Sequence, residues 1–172
     1  MAGLGSEFIH FDKVIVARNA TWQIDAAAAA LPGTTIVGAG GADALALTSA
    51  GGIDLAGVRG FQRIELASTG SNTLIVRNSN FGGISGNRIT IDGGNKGDTM
   101  TAALGAGHGV ALEGGAARDT FNLSPTTLSV STVSGGGGID TLGMSAAGAI
   151  RLTGVSGIEK LRLSGGSRNR LT

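Results

Sequence analysis

Hydrophobic and polar residues alternate along short stretches of the chain, and these stretches recur every 8 to 13 residues. Examples are Thr99 to Leu104, Thr120 to Leu123 and Leu128 to Val133. A period of two is typical of β-strands that bury one face, so the pattern predicts many short strands. One helix is predicted, from Asp25 as N-cap to Leu31, ended by Pro32-Gly33.

The chain contains a long internal repeat. Residues 38–75 align with residues 135–172 without a gap at an offset of 97 residues, and 15 of the 38 aligned positions are identical. Part of the unit occurs a third time, because residues 11–17, 61–67 and 158–164 share an apolar, polar and basic residue followed by an alternating strand. Self-similarity at a fixed period indicates a repeat architecture, in which each unit packs on its neighbours.

The repeat suggests how the chain is organised. We expect a single repeat domain over residues 1–172, with residues 1–37 as an N-terminal partial repeat or cap, 38–134 as a first unit and 135–172 as the start of a second. The second unit breaks off in mid-repeat, which indicates a fragment of a longer protein. Residues 5–8 are either a cloning junction or native sequence that leads into the first repeat.

A finer period of 21 residues lies in the second half of the chain. Asp98, Asp119 and Asp140 are each followed by Thr and a large apolar residue, and each is preceded at the same distance by a glycine pair. Glycine supplies the positive φ angles of tight corners, and the chain has 32 glycines but only 3% aromatic residues. We therefore predict an all-β fold, a parallel β-solenoid with a narrow core and about two strands per 21-residue coil in the second half.

The glycine loops carry a recognisable motif. Residues 135–143, Gly-Gly-Gly-Gly-Ile-Asp-Thr-Leu-Gly, match the nonapeptide G-G-x-G-x-D-x-U-x completely, where U is a large apolar residue. Weaker copies occupy residues 38–45, 93–100 and 114–121. In this motif the chain resembles the RTX, or hemolysin-type calcium-binding, repeat proteins of bacterial secretion. The longer 97-residue unit is similar to spacer repeats of large alphaproteobacterial surface proteins.

The resemblance implies a calcium site built from stacked loops. Calcium prefers about 6–8 oxygen ligands, which loop carbonyls and the aspartate at the sixth motif position would supply where two loops stack. Three such loops would hold two ions. The residues that the resemblance assigns to this role are Asp98, Asp119 and Asp140, more weakly Asp43, and the loop glycines Gly93, Gly114, Gly135 and Gly137.

A structural explanation of the same residues stays open. RTX motifs follow one another in coils of about eighteen residues, whereas the interval here is 21 residues. Lys96 and Arg118 place cations inside two of the loops, where they would compete with a metal. On this interpretation glycine and aspartate only make the turns, and the Asp side chains bond to the backbone.

Other functions find little support in the sequence. The net charge of +1 offers no electrostatic footprint for nucleic acid, and no stretch is apolar and long enough to insert into a membrane. The chain has no cysteine, and its two histidines, His10 and His108, are 98 residues apart. We expect no flat Thr or Asn array for ice or carbohydrate, because Thr90 and the Ser129/Ser131 pair do not form one.

These observations predict a non-enzymatic structural or adhesive repeat module of a secreted bacterial surface protein, located outside the cell or on its surface. If the loops bind metal, calcium ions would stabilise the folded coils. Self-association through the ends or edges of the solenoid is a further expectation. The alternatives are the calcium-binding export and stability tail of a secreted RTX enzyme, and a passenger segment like those of autotransporters.

Overall fold

In the computed structural model the chain is nearly all β-structure, wound into a parallel β-solenoid of about six coils with roughly 21 residues each. The predicted fold class is therefore confirmed. The residues that the structure describes are 13–16, 18–19, 21–24, 35–165 and 168–172. The helix predicted over residues 25–31 lies outside them. Within the described residues, no helix has the length and apolar character needed to cross a membrane.

The strands are short and follow one another closely along the chain. In chain order they are β1 (Lys13–Val16), β2 (Thr21–Ile24), β3 (Thr35–Gly38), β4 (Ala44–Leu47), β5 (Gly52–Asp54), β6 (Val58–Arg59), β7 (Arg63–Glu65), β8 (Thr73–Arg77), β9 (Arg88–Asp92), β10 (Thr99–Ala103), β11 (Gly109–Gly115), β12 (Thr120–Leu123), β13 (Thr132–Gly136), β14 (Thr141–Met144), β15 (Ala149–Ile150), β16 (Val155–Ser156), β17 (Lys160–Arg162) and β18 (Arg170–Leu171). A 3₁₀ turn at Asn78–Phe81 and helix α1 at Pro125–Leu128 lie between strands. Helix α1 begins where the Ser124 hydroxyl accepts a hydrogen bond from the N–H of Thr127.

Each coil has three sides. Sheet 1 contains β2, β4, β7, β9, β11, β13 and β16, and sheet 2 contains β5, β8, β10, β12, β14 and β17, in that spatial order. The third face consists of β1, β3 and β6, then the 3₁₀ turn and α1, and finally β15 and β18. The strands are paired in parallel. Because spatial order equals chain order, each coil lies on the preceding one.

The core is a continuous column of apolar side chains inside the coils. Met100, Phe121 and Leu142 occupy the same register position in β10, β12 and β14, and all three are fully buried. Successive side chains of a strand point to opposite faces, so the intervening residues Thr101 and Asn122 lie on the outside. The buried side chains from all three sides form one hydrophobic cluster, as expected of a solenoid with a narrow interior.

Glycine pairs form the corner between sheet 1 and sheet 2. The second glycine of each pair, Gly94, Gly115 or Gly136, has a positive φ between 85° and 105°. A Cβ on Gly115 would overlap the carbonyl oxygen of Gly94 in the neighbouring coil, and a Cβ on Gly136 would overlap that of Gly115. A left-handed backbone and the close approach of two coils therefore both require glycine here.

The 97-residue repeat does not return to the same side of the solenoid. Strands β4 and β7 of sheet 1 have β14 and β17 of sheet 2 as their sequence counterparts, while β3 and β6 of the third face correspond to β13 and β16 of sheet 1. The repeat length thus covers four coils and one additional side. The second unit is turned by a third of a revolution relative to the first, and β13 crosses the unit boundary without a break.

Candidate functional site

The three aspartates of the 21-residue period lie at the same corner of successive coils. Asp98, Asp119 and Asp140 each precede the first residue of a strand of sheet 2 and are buried, with at most 2% exposure. Asn72 and Glu159 occupy the same corner in the coils before and after them. We call these five residues the corner ladder. The structure thus brings together the three aspartates that the motif singled out.

Hydrogen bonds link the corner ladder from coil to coil. The N–H of Asn72 donates to Oδ1 of Asp98, and the N–H of Asp98 donates to Oδ1 of Asp119, each at 2.7 Å. The N–H of Asp119 donates to Oδ1 of Asp140, and the N–H of Asp140 donates to Oε2 of Glu159, again at 2.7 Å. Each carboxylate therefore pairs a buried backbone donor of the preceding coil, which would otherwise be costly to leave unpaired.

Asn72 closes one end of the corner ladder. Its Nδ2 donates to Oδ1 of Asp98 and to the carbonyl oxygen of Ala67, both at 2.9 Å. Asn169, the repeat counterpart of Asn72, makes the second of these bonds to the carbonyl oxygen of Ser164 at 3.1 Å. Neither Asn72 nor Glu159 belongs to the nonapeptide motif, so the motif alone does not find them.

The second carboxylate oxygen of each ladder aspartate has a different environment. Oδ2 of Asp98, Asp119 and Asp140 is buried and has no hydrogen-bond partner among the described residues. A buried, ionised oxygen without a donor is unfavourable. This oxygen is therefore the place where a proton or a cation would stabilise the corner most.

The first glycine of each loop, Gly93, Gly114 or Gly135, makes room for that oxygen. Its φ lies outside the left-handed region, yet a Cβ on Gly93 would lie 2.7 Å from both Oδ2 of Asp98 and the carbonyl oxygen of Gly114 in the next coil. A Cβ on Gly114 or Gly135 would overlap the Oδ2 atom of its own loop. A carboxylate oxygen and a carbonyl oxygen therefore face the same point beside each of these glycines.

Burial raises the proton affinity of the corner ladder. Burial is the main reason that the pKa of Asp119 rises from 3.8 to about 6; the hydrogen bond from the N–H of Asp98 opposes this change, and the negative charges of Asp98 and Asp140 add to it. Burial also raises the pKa of Asp98, against the hydrogen bonds from Asn72. A protonated Oδ2 would be a neutral hydroxyl that can donate to a nearby carbonyl oxygen.

The folded protein is expected to be more stable in mild acid than at neutral pH when no metal is added. The folded-state pKa of Asp119 exceeds the ordinary value of 3.8, so protonation favours the folded state; this stabilisation is complete below pH 3.8 and is lost as the pH rises through about 6. Melting temperatures measured in EDTA should therefore be higher at about pH 5 than at about pH 7.5.

Asp119→Asn is the matched control for this experiment. The amide oxygen can still accept the hydrogen bond from the N–H of Asp98, but nothing at position 119 titrates. The variant should lose part of the pH dependence, and the remainder should come from Asp98, whose pKa is also raised. A wild-type melting temperature that is equal or higher at neutral pH would contradict the assignment of a buried, proton-binding carboxylate.

Asp43 lies at a different corner, between β3 of the third face and β4 of sheet 1. It is buried, and its N–H donates to Oε1 of Gln62 in the next coil at 2.9 Å. One repeat later, Asp140 and Glu159 make the equivalent bond. The repeat preserves this bond but moves it by one side of the solenoid, so Asp43 is not part of the corner ladder.

The corner ladder offers a limited set of oxygens to a metal. Oδ1 of each aspartate already accepts a backbone hydrogen bond, and the described part of the chain has no group of three or more Asp, Glu or His residues placed to hold an ion. Gly137, Lys96 and Arg118 are partly or fully exposed on these loops. A cation would fit only where Oδ2 and a glycine carbonyl face each other, and calcium binding stays a prediction.

A regular column of threonines covers the outside of sheet 2. Thr73, Thr99, Thr120 and Thr141 are paired in register in four successive strands. The prediction that the chain has no regular Thr array is therefore wrong. These residues are 21 or 26 positions apart in the sequence and become neighbours only when the coils stack. Cross-strand threonine pairs of this kind contribute modestly to sheet stability.

No protein-family model, no curated protein and no solved structure matches the chain. The resemblance of its glycine loops to RTX repeats therefore stays a prediction.

Proposed function

We propose that the chain is a non-enzymatic structural module, a stiff spacer or adhesive segment of a secreted bacterial surface protein that works outside the cell. The observation that carries the proposal is the in-register stacking of about six coils on one continuous core. Each coil buries its apolar side chains against its neighbours, so length and stability both increase with every added coil. Such a module holds whatever is attached to it at a set distance.

The repeat gives the spacer a defined increment of length. Neighbouring strands lie about 4.8 Å apart along the axis of stacking. A 97-residue unit, which covers four coils and one side, would therefore lengthen the solenoid by about 21 Å. It would also turn the following unit by one side, so that equivalent surfaces of successive units face different directions.

Duplication of one unit tests the spacer function. A second copy of residues 38–134 inserted after residue 134 should continue the solenoid, because the residues that follow position 134 are homologous to those that follow position 37. Small-angle X-ray scattering should show a maximum dimension about 21 Å longer than that of the wild type, with a single melting transition. A flexible chain of separate bodies, or two independent melting transitions, would contradict the proposal.

We also propose that calcium stabilises the folded coils. The support is the resemblance of the glycine loops to RTX motifs, together with the buried Oδ2 atoms of Asp98, Asp119 and Asp140 that face glycine carbonyl oxygens. Hard oxygen donors of this kind suit calcium. A cation beside them would neutralise carboxylates that burial makes costly to ionise, and it would bind the folded chain in preference to the unfolded chain.

Calcium is expected to raise the melting temperature at about pH 7.5, relative to EDTA, more than the same concentration of magnesium does. The increase should be smaller at about pH 5, where protons compete for Asp119. Asp119→Asn should also respond less, since it lacks one carboxylate while keeping the coil-to-coil hydrogen bond. An unchanged melting temperature at millimolar calcium would leave the aspartates with a role in the turns alone.

A further inference from the structure

The C-terminal end of the solenoid exposes an apolar surface that another coil would fit. Leu142, Leu152, Val155, Ile158 and Leu161 line a cleft of about 270 Å³ at this end. Strands β16 and β17 are the outermost strands of sheets 1 and 2 there, so each has one edge without a strand partner among the described residues. An open strand edge beside apolar side chains is a surface that readily pairs with a further strand.

The internal repeat shows what covers the same surface elsewhere in the chain. In the first unit the counterparts of these side chains are at most 5% exposed: Leu55, Val58, Phe61, Ile64 and Leu66. They are covered by the next coil, because β8 pairs with β5, β9 pairs with β7, and the 3₁₀ turn packs on β6. At the C-terminal end, by contrast, Leu152 is 36% exposed and Leu163 is 49% exposed. The surface therefore matches a coil of this same chain, added in parallel register.

The opposite end of the solenoid has the complementary features. Strands β1 and β2 are the outermost strands of the third face and of sheet 1, and within the described residues each is paired on one side only, with β3 and β4. Because the pairing is parallel throughout, strands at both ends run in the same direction. Residues 11–17 also share the sequence pattern of residues 61–67, whose strand β7 lies between two other coils.

We propose that the C-terminal end of one molecule binds the N-terminal end of a second copy of this chain, so that sheet 1 of one copy continues into sheet 1 of the other. The inference rests on the proposed spacer or adhesive function and names its partner. The contact covers the apolar cleft with a coil, as the next coil does in the first repeat unit. A head-to-tail contact does not close on itself, so it joins the copies into open linear assemblies.

Sedimentation velocity over a range of protein concentrations tests the association. The wild type should form a series of species that grows with concentration and does not stop at a dimer. Leu163→Lys places a charge in the docking surface and should remain monomeric, with the melting temperature of the wild type because Leu163 is half exposed in the single chain. Val130→Lys is the matched control: Val130 is 48% exposed but follows α1, away from both ends, and this variant should associate as the wild type does.

Single cysteines test the orientation, in a chain that has none of its own. Thr21 lies in β2 and Ser156 lies in β16, the outer strands of sheet 1 at opposite ends, and both are exposed. A mixture of the T21C and S156C variants should give a cross-link between the two different variants. Cross-links between two S156C chains, a mass that stops at the dimer, or a monomeric wild type would overturn the proposal. The spacer function fails by a separate observation, the behaviour of the duplicated unit.

Discussion

Replacement of Gly115 by alanine is expected to prevent the chain from folding into a stable solenoid. Gly115 has a φ of +105°, and a Cβ there would overlap the backbone carbonyl oxygen of Gly94 in the neighbouring coil. Neither atom is the end of a flexible side chain, so the two coils would have to move apart. The combined backbone strain and overlap should cost more than about 4 kcal/mol, a large share of the stability of an ordinary domain. Circular dichroism during urea unfolding measures the loss.

Two other glycines separate the causes of that loss. Gly107 also has a positive φ, of +89°, but a Cβ there would meet no atom within 4 Å. Gly107→Ala should therefore cost only about 1–2 kcal/mol, the penalty of the left-handed backbone. Gly137 has neither a positive φ nor a close neighbour, and Gly137→Ala should be nearly neutral. If Gly115→Ala were no more destabilising than Gly107→Ala, the coils would not approach each other as described.

Phe121→Ala is expected to destabilise the fold by about 3–5 kcal/mol. Phe121 is fully buried in β12, between Met100 of β10 and Leu142 of β14. The core is only one coil deep in each direction, so removing the ring withdraws contacts from both neighbouring coils and leaves a cavity between them. Chemical denaturation with guanidinium chloride gives the change in the free energy of unfolding.

Asn122→Ala is the control for the core substitution. Asn122 is the next residue of β12, points outward and makes only a long side-chain contact of 3.4 Å with Thr101. A surface change of this kind should alter stability by less than about 0.5 kcal/mol. Equal effects of the two substitutions would mean that β12 does not have its inner and outer faces where the stacked coils place them.

The fold could be predicted from the sequence because its two signals are local and regular. The repeated triplet that begins at Asp98, Asp119 and Asp140 places a corner, an outward Thr and an inward apolar residue at a spacing of 21 residues. Where the spacing is constant, stacking is the simplest way to bury every third member of the triplet, Met100, Phe121 and Leu142. The glycine pairs before each triplet then supply the corners.

The side of the solenoid on which each motif lies could not be predicted. Sequence similarity places Asp43 with Asp140, but the coils between them differ in length: 19 residues separate the paired Leu45 and Ile64, and 27 separate Ile64 and Ile91. Similar residues can therefore make similar corners on different sides. The alignment carries no information about rotation around the axis, which depends on how many residues each intervening loop takes up.

The role of the aspartates also required the structure. The motif marks Asp98, Asp119 and Asp140 as oxygen donors, but it does not show that Oδ1 accepts a backbone hydrogen bond from the preceding coil. Nor does it show Glu159, which completes the corner ladder from outside the motif. Both features depend on contacts between coils, as does the threonine column on sheet 2.

Distances between spin labels on sheet 2 test the stacking of the coils most directly. Gly52, Thr120, Thr141 and Lys160 lie in one outward column, separated by successive strands. With one label fixed at position 52 and the second at 120, 141 or 160, pulsed electron paramagnetic resonance should give narrow distributions near about 14, 19 and 24 Å, one strand spacing apart. Broad distributions, or distances that do not increase by one strand spacing for each coil, would contradict the parallel β-solenoid.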